Sequence, residues 1–198
     1  SKSESNRLLI LQKLFGNIEI KNISNSQDTR LLQKALNSNE KTIDIHHAGT
    51  AMRFLTSFFA VQEDTEKILT GSERMKQRPI KPLVEALREL GADIEYLENE
   101  GFPPLKIKGK TLEKKFVEIP ADISSQFITS LILVGGKLKN GLTIKLLGEI
   151  TSKPYIEMTL KLLSEISGKS ITLKDKTIQI PNIKTQKTAF TVESDWSS

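Results

Sequence analysis

The sequence predicts an α/β domain built from repeated β-α-β-α-β-β units, and three observations carry that prediction. Runs of helical period alternate with short apolar runs of strand period along the whole chain. The stretch 43–107 has the same element order as 116–180, at an offset of about 75 residues that aligns Thr50 with Ser125 and Pro79 with Pro154. Finally, small polar residues open apolar helices at Ser1-Lys2-Ser3-Glu4-Ser5-Asn6-Arg7, Ala48-Gly49-Thr50-Ala51-Met52-Arg53 and Ser124-Ser125-Gln126, with cations in or beside the first turns of the first two.

Taken in order, the chain opens with a helix over 3–15, whose Leu8, Leu11 and Phe15 share a face. A strand at 18–20, a helix at 28–37 and a strand at 42–45 lead to an apolar helix over 50–61. A strand at 67–69 precedes a helix over 79–90, with Ile80, Leu83, Leu87 and Leu90 on one face and Pro79 at its first position. Strands at 92–97, 105–108 and 116–119 follow, then an apolar helix over 125–135, a strand at 142–146 and a helix over 154–167 opened by Pro154. The last strands are 170–173, 177–180 and 189–192, with Asp175-Lys176 as a tight hairpin turn between the first two. No low-complexity linker divides the chain. It reads as a single domain, 1–198, with repeat units of about 1–41, 42–110 and 111–192, the first having the helices but no hairpin. Right-handed crossovers orient the helices alike, so their N-termini are expected to gather at one end.

Composition narrows the function. Apolar residues make up 37% of the 198, ample for a core, and the longest apolar run, about 127–134, is too short and too polar to span a membrane. Lys and Arg exceed Asp and Glu by 29 to 24, a formal charge of +5 that suits an acidic partner. Cysteine is absent, which excludes disulfides and thiolate metal sites and fits a reducing cytoplasm. The opening residues do not read as a signal peptide, and none is expected there. The start lacks Met and begins inside a motif, so the chain is expected to be a piece of a longer protein.

The helix starts carry the chemistry. A helix N-terminus leaves amides unpaired and bears about half a positive charge, so hydroxyls and cations there form a seat for phosphate or carboxylate. Ser3 and Arg7, four apart, share a first turn, where the plainer alternative is a cap and a solvated arginine. Gly49 lets a ligand approach the backbone while Thr50 caps the helix. Arg74, Lys76 and Arg78 stand at alternate positions before a helix, solvation being the plain reading for the last two. Ser124, Ser125 and Ser152 read locally as caps, Gln126 as a surface amide, and Tyr155 as a half-buried core aromatic. Lys153 opposes the dipole of its own helix unless an anion lies between them. The only histidines, His46 and His47, are read as strand neighbours facing opposite ways, poor joint ligands for a metal, and none is expected.

These residues resemble a known family. Lys2-Ser3-x-Ser5-Asn6-Arg7, Ala48-Gly49-Thr50-Ala51-Met52-Arg53, Leu69-Thr70-Gly71, Arg74-Met75-Lys76-x-Arg78-Pro79-Ile80, Ser124-Ser125-Gln126-Phe127 and Ser152-Lys153-Pro154-Tyr155-Ile156 follow the order and approximate spacing of the 5-enolpyruvylshikimate-3-phosphate synthases. The resemblance spans the chain and implies one domain, an inverted α/β barrel, of an enzyme roughly twice as long. It implies transfer of the enolpyruvyl group of phosphoenolpyruvate to the 5-hydroxyl of shikimate 3-phosphate, by addition and elimination, with no metal or cofactor. By the same resemblance Lys2, Ser3, Arg7, Ser124, Ser125, Gln126, Ser152 and Tyr155 hold shikimate 3-phosphate, and Lys2, Gly49, Thr50, Arg74 and Gln126 hold phosphoenolpyruvate. Lys2 is the one candidate proton carrier, since the family's proton-transfer carboxylates lie mainly on the other domain. The closing Glu193-Ser194-Asp195-Trp196-Ser197-Ser198 resembles the crossover to that domain.

Two positions depart from the family: His47, where Asn or Asp is usual, and Phe54, where many members have Pro. Both bear on the phosphoenolpyruvate side and on sensitivity to the inhibitor glyphosate, which a bulkier residue at the Gly49 position hinders. The sister family acting on UDP-sugars shares the fold, but its usual reactive cysteine is absent and Ser124-Ser125-Gln126 is present, so it ranks second. A basic α/β module could instead bind RNA. Against that, aromatics are only 6% and none cluster on a strand as a stacking platform.

Overall fold

Local capping sets several helix limits in the computed structural model, which describes residues 1–184 and 188–193. Helix α1 (Lys2–Phe15) starts under the Ser1 hydroxyl and stops at Gly16, whose φ of 67° favours glycine. Strand β1 (Ile18–Lys21) leads to α2 (Gln27–Asn37), capped by the Ser26 hydroxyl. Then come β2 (Thr42–Asp44), α3 (Gly49–Ala60), β3 (Glu66–Thr70), a 3-10 turn (Met75–Gln77), α4 (Lys81–Glu89), β4 (Asp93–Tyr96) and β5 (Leu105–Lys108). The second run of this order is β6 (Phe116–Pro120), α5 (Ser125–Gly135), β7 (Leu142–Leu147), α6 (Lys153–Ser167), β8 (Leu173–Lys174) and β9 (Thr177–Ile180), with β10 (Thr188–Thr191) last.

The repeat is visible in the sheets. One has strand order β2-β3-β5-β4 and the other β6-β7-β9-β8; in each the first pair is parallel and the rest antiparallel. Strand β10, at the end of the third unit, returns to pair in parallel with β1, so the chain's last described strand completes its first unit. Each unit pairs a buried helix with an amphipathic one. Helix α5 is buried except for Gln126, and α3 except for Thr50 and Arg53, whereas α2, α4 and α6 bury only one face. The core runs continuously through α1, α3, α5 and the inner faces of the sheets.

Several local expectations are corrected. Pro79 lies outside α4: Ile80, its amide bonded to the Gly101 carbonyl at 2.9 Å, is the cap, and Pro82 takes the second helical position that Pro154 takes in α6. Thr50 does not cap α3; Ala48 stands at the cap with no side-chain bond. His46 and His47 sit in the turn after β2, His46 at φ 52° with its amide on the Asp44 carboxylate, not on a strand. The expected strand at 170–173 shrinks to Leu173–Lys174, because the hairpin turn, with Asp175 and Lys176 at φ 51° and 60°, pairs only Leu173 with Ile178 and Lys174 with Thr177. The expected crossover segment lies outside the described residues beyond Glu193. Among the described residues no helix is long and apolar enough to cross a membrane.

Candidate anion-binding cleft

Four helix starts meet at one cleft. The beginnings of α1, α3, α5 and α6 bring Lys2, Ser3, Arg7, Thr50, Ser124, Ser125, Gln126, Ser152 and Tyr155 to a cavity of about 560 Å³. The convergence expected from crossover handedness is therefore present, and it puts a set of partly unpaired amides and their dipoles on one volume.

Arg7 dominates the electrostatics. Its residue is 3% exposed, so the solvated reading fails. The guanidinium donates from Nε to Thr159 Oγ1 at 2.8 Å and from Nη1 to the Ser3 carbonyl at 2.9 Å. It stacks 5.7 Å from the Phe54 ring centroid and 5.9 Å from that of Tyr155. Thr159 Oγ1 donates its own hydrogen bond to the Tyr155 carbonyl at 2.9 Å, which leaves a lone pair to accept from Arg7. Burial pulls Arg7 down to about 10, with Tyr155 opposing, so it stays cationic at neutral pH. No carboxylate pairs with it among the described residues. A buried charge held only by neutral groups is stabilised further when an anion enters beside it.

The hydroxyls complete the seat. Ser124 caps α5 by accepting from the Gln126 amide, and its proton remains available to donate. Ser3, Ser125 and Ser152 make no side-chain hydrogen bond among the described residues. Ser152 holds a left-handed conformation, φ 54° and ψ 37°, a backbone cost of about 1–3 kcal/mol for a non-glycine residue. Tyr155, at 47% exposure, faces the cleft and is not the half-buried core aromatic that its spacing suggests. Lys2 reaches Asp28 of α2 at 3.2 Å from the cleft wall, and Asp122 is the carboxylate in that wall.

Gln126 is more than a surface amide. Its Oε1 accepts from Arg53 Nη1 at 2.6 Å and its Nε2 donates to Thr50 Oγ1 at 2.9 Å. Thus the three residues that α3 and α5 do not bury form one hydrogen-bonded set. Burial, reinforced by Arg78, pulls Arg53 down to about 10.

Not every candidate is gathered here. Arg74 lies in a neighbouring recess of about 550 Å³ with His47, Ser72, Met75 and Arg78. Gly49, at the start of α3, touches Arg78. Lys153 pairs with Glu157 at 3.8 Å, and Lys76 with Glu73 and Glu98, so the dipole conflict read at Lys153 is met by an ordinary surface pair. Phe54, singled out in the sequence for the phosphoenolpyruvate side, stands in this wall beside Arg7, while sequence reasoning missed Asn6, Asp122 and Thr151 in the wall and Thr159 behind Arg7. Of these only Asn6 stood inside a recognisable motif; the others come from distant elements with no local signal. Among the described residues no cluster of three His, Asp or Glu side chains is placed to hold a metal.

Comparison with known proteins points the same way. The family model described as EPSP synthase (3-phosphoshikimate 1-carboxyvinyltransferase) matches residues 6–198. A 3-phosphoshikimate 1-carboxyvinyltransferase of Bacteroides fragilis is 47% identical over 199 aligned positions, covering 100% of this chain and 48% of its own length. One from Haemophilus influenzae is 41% identical, covering 85% of this chain and 46% of its own. Among solved structures, an EPSP synthase from Acinetobacter baumannii superposes with a TM-score of 0.79 at 19% identity over 100% of this chain and 49% of its own; this likeness bears on the fold alone. The chain spans about half the length of the curated relatives it matches.

Proposed function

The chain belongs to the EPSP synthase family, and from that premise we propose that it is the shikimate 3-phosphate-binding domain of a two-domain 3-phosphoshikimate 1-carboxyvinyltransferase. The observation that carries the reading is Arg7: a buried guanidinium without a carboxylate partner among the described residues, facing a cleft ringed by four helix starts and several hydroxyls. A phosphorylated, carboxylated ring of modest size is the kind of ligand such a cleft accommodates.

In this reading Ser124, Ser125 and Ser152 grip the phosphate, Ser3 and Arg7 hold the carboxylate and ring hydroxyls, and Tyr155 lies against the ring. Lys2 stands between that ligand and phosphoenolpyruvate, whose binding groups on this domain are Lys2, Gly49, Thr50, Arg74 and Gln126. The whole enzyme joins the 5-hydroxyl oxygen, which gives up its proton, to the central carbon of phosphoenolpyruvate while the phosphoenolpyruvate methylene gains a proton; phosphate then leaves that carbon as the new methyl group loses a proton and the double bond re-forms. Cations near both ligands stabilise the charge that this addition and elimination moves. The second domain supplies the remaining groups and closes over the cleft, so residues 1–198, built of units 1–41, 42–110 and 111–192, bind substrate without turnover. A cytoplasmic setting accords with the lack of cysteine.

An amide-resolved NMR titration of the chain with shikimate 3-phosphate tests the proposal. Saturable shifts confined to the starts of α1, α3, α5 and α6 are the expected result. Their absence, with salt-dependent binding of single-stranded RNA in its place, would replace the reading with the nucleic-acid one.

A further inference from the structure

Asn6 shares a side of α1 with Lys2, Ser3 and Arg7, since these positions fall three or four apart, and all four line the cleft. Only 2% of its surface is open. Its carboxamide carries one acceptor and two donors, and burial leaves each end in need of a partner.

The orientation of that carboxamide is fixed from behind. The Thr29 backbone amide donates to Ser26 Oγ at 3.3 Å, so the Ser26 hydroxyl directs its own proton elsewhere, to Thr29 Oγ1 at 2.9 Å. Having accepted there, Thr29 Oγ1 donates to Asn6 at 2.8 Å. The atom of Asn6 that meets it has to be an acceptor, which makes it Oδ1 and turns Nδ2 the other way. Thr29 is fully buried, so no solvent competes for its proton. The cap of α2 thus sets which end of Asn6 the cleft receives.

Asn6 Nδ2 has no hydrogen bond among the described residues. The unpartnered side-chain atoms sealed in the described interior are Tyr96 Oη and Thr129 Oγ1, and Nδ2 is not one of them. It is therefore open, and the space it opens on is the cleft that the residue lines. A serine hydroxyl there can turn to donate or to accept, whereas this amide, held by Thr29, can only donate.

We propose that Asn6 is a ligand-binding residue whose Nδ2 donates to a carboxylate or ring-hydroxyl oxygen of the molecule that Ser3 and Arg7 hold, with Thr29 as the positioning residue that keeps the donor forward. This rests on the reading above that the molecule is shikimate 3-phosphate. The place of Asn6 on α1, apart from Ser124, Ser125 and Ser152 at the starts of α5 and α6, puts it on the ring side of that ligand and not on its phosphate.

The test follows the Asn6 side-chain amide signal and the backbone amides of the 198-residue chain by NMR, in separate titrations with shikimate 3-phosphate and with inorganic phosphate. Shikimate 3-phosphate is expected to shift the Asn6 signal in step with the backbone amides of the cleft. Asn6→Ala should weaken shikimate 3-phosphate binding roughly tenfold and leave that of inorganic phosphate within about twofold, because phosphate alone reaches only the serines. Thr29→Val, which removes the orienting proton, should lower the affinity for shikimate 3-phosphate by about threefold or more, and Thr29→Ser should restore it. An Asn6 signal that stays put while the cleft amides shift overturns the proposal. So does an equal loss for inorganic phosphate in Asn6→Ala, and unchanged affinity in a folded Thr29→Val chain removes Thr29 from its role. If the cleft amides do not respond to shikimate 3-phosphate at all, the reading of the cleft falls and takes this proposal with it. Should a substituted chain not fold, the Asn6 signal of the unaltered chain still decides the question.

Discussion

Arg7 Nε donates to Thr159 Oγ1 at 2.8 Å, linking α1 to α6 across 152 positions of sequence. The partner is a hydroxyl where a structural arginine of this burial would ordinarily find a carboxylate. Thr159 orients the guanidinium without neutralising it. That leaves the charge for whatever enters the cleft.

Arg7→Ala should therefore weaken shikimate 3-phosphate binding by roughly 1.5–3 kcal/mol, the scale of a charge-assisted hydrogen bond. Calorimetric or NMR titration of the chain measures it. Unchanged affinity would remove Arg7 from the site.

The same affinity should fall as pH rises through about 10. Burial has lowered the Arg7 pKa to about 10, so its charge is intact below that pH and lost above it, and an anion loses its partner. For stability the sign is opposite: the cost of burying the cation is present below about 10 and relieved as pH rises from there toward the higher, ordinary arginine value. Titrations at several alkaline pH values, with circular dichroism to verify folding, check the fall; Arg7→Ala should reduce its steepness.

Arg74 lies in the neighbouring recess, so Arg74→Ala should impair use of phosphoenolpyruvate and spare shikimate 3-phosphate. In the full-length enzyme the expected outcome is a raised KM for phosphoenolpyruvate or a lower kcat, with binary shikimate 3-phosphate affinity little changed. Equal damage to both substrates would make the segment a structural one.

A fourth test concerns the mounting of the cleft. Thr29 donates to the Asn6 side chain at 2.8 Å and accepts from Ser26 at 2.9 Å, tying α2 to α1 inside the protein. Thr29→Val leaves the buried Asn6 oxygen without its donor and should destabilise the fold by about 1–3 kcal/mol. Urea unfolding gives the number, and a loss well below 1 kcal/mol would show that the bond contributes little.

The chain by itself should release no phosphate from the two substrates, and mixing with the complementary domain should restore some turnover, because an open half-site neither positions both reactants nor excludes water. Clear turnover by the chain alone would contradict its reading as half of an active site.

Sequence alone determined what depends on neighbours within a turn or two. Ser26 and Ser124 cap their helices with hydroxyls that reach two or three residues ahead, and Asp175-Lys176 turns a hairpin because both adopt positive φ locally. The repeat was legible because its units reuse one pattern of apolar spacing. Where a local signal was weak, as at Pro79 and Thr50, the start of the helix was misplaced by a residue or two. Tertiary structure alone decided which side chains meet. Nothing near Arg7 names Thr159, nothing near Gln126 names Arg53 or Thr50, and Gly49 gives no local sign that Arg78 will lie on it. Strand β10 joins β1 from the far end of the described chain by the same logic. Hydrogen bonds and contacts act over a few ångströms of space whatever the separation along the chain, so partners of this kind exist only once the helices have packed and brought their N-termini to one cleft.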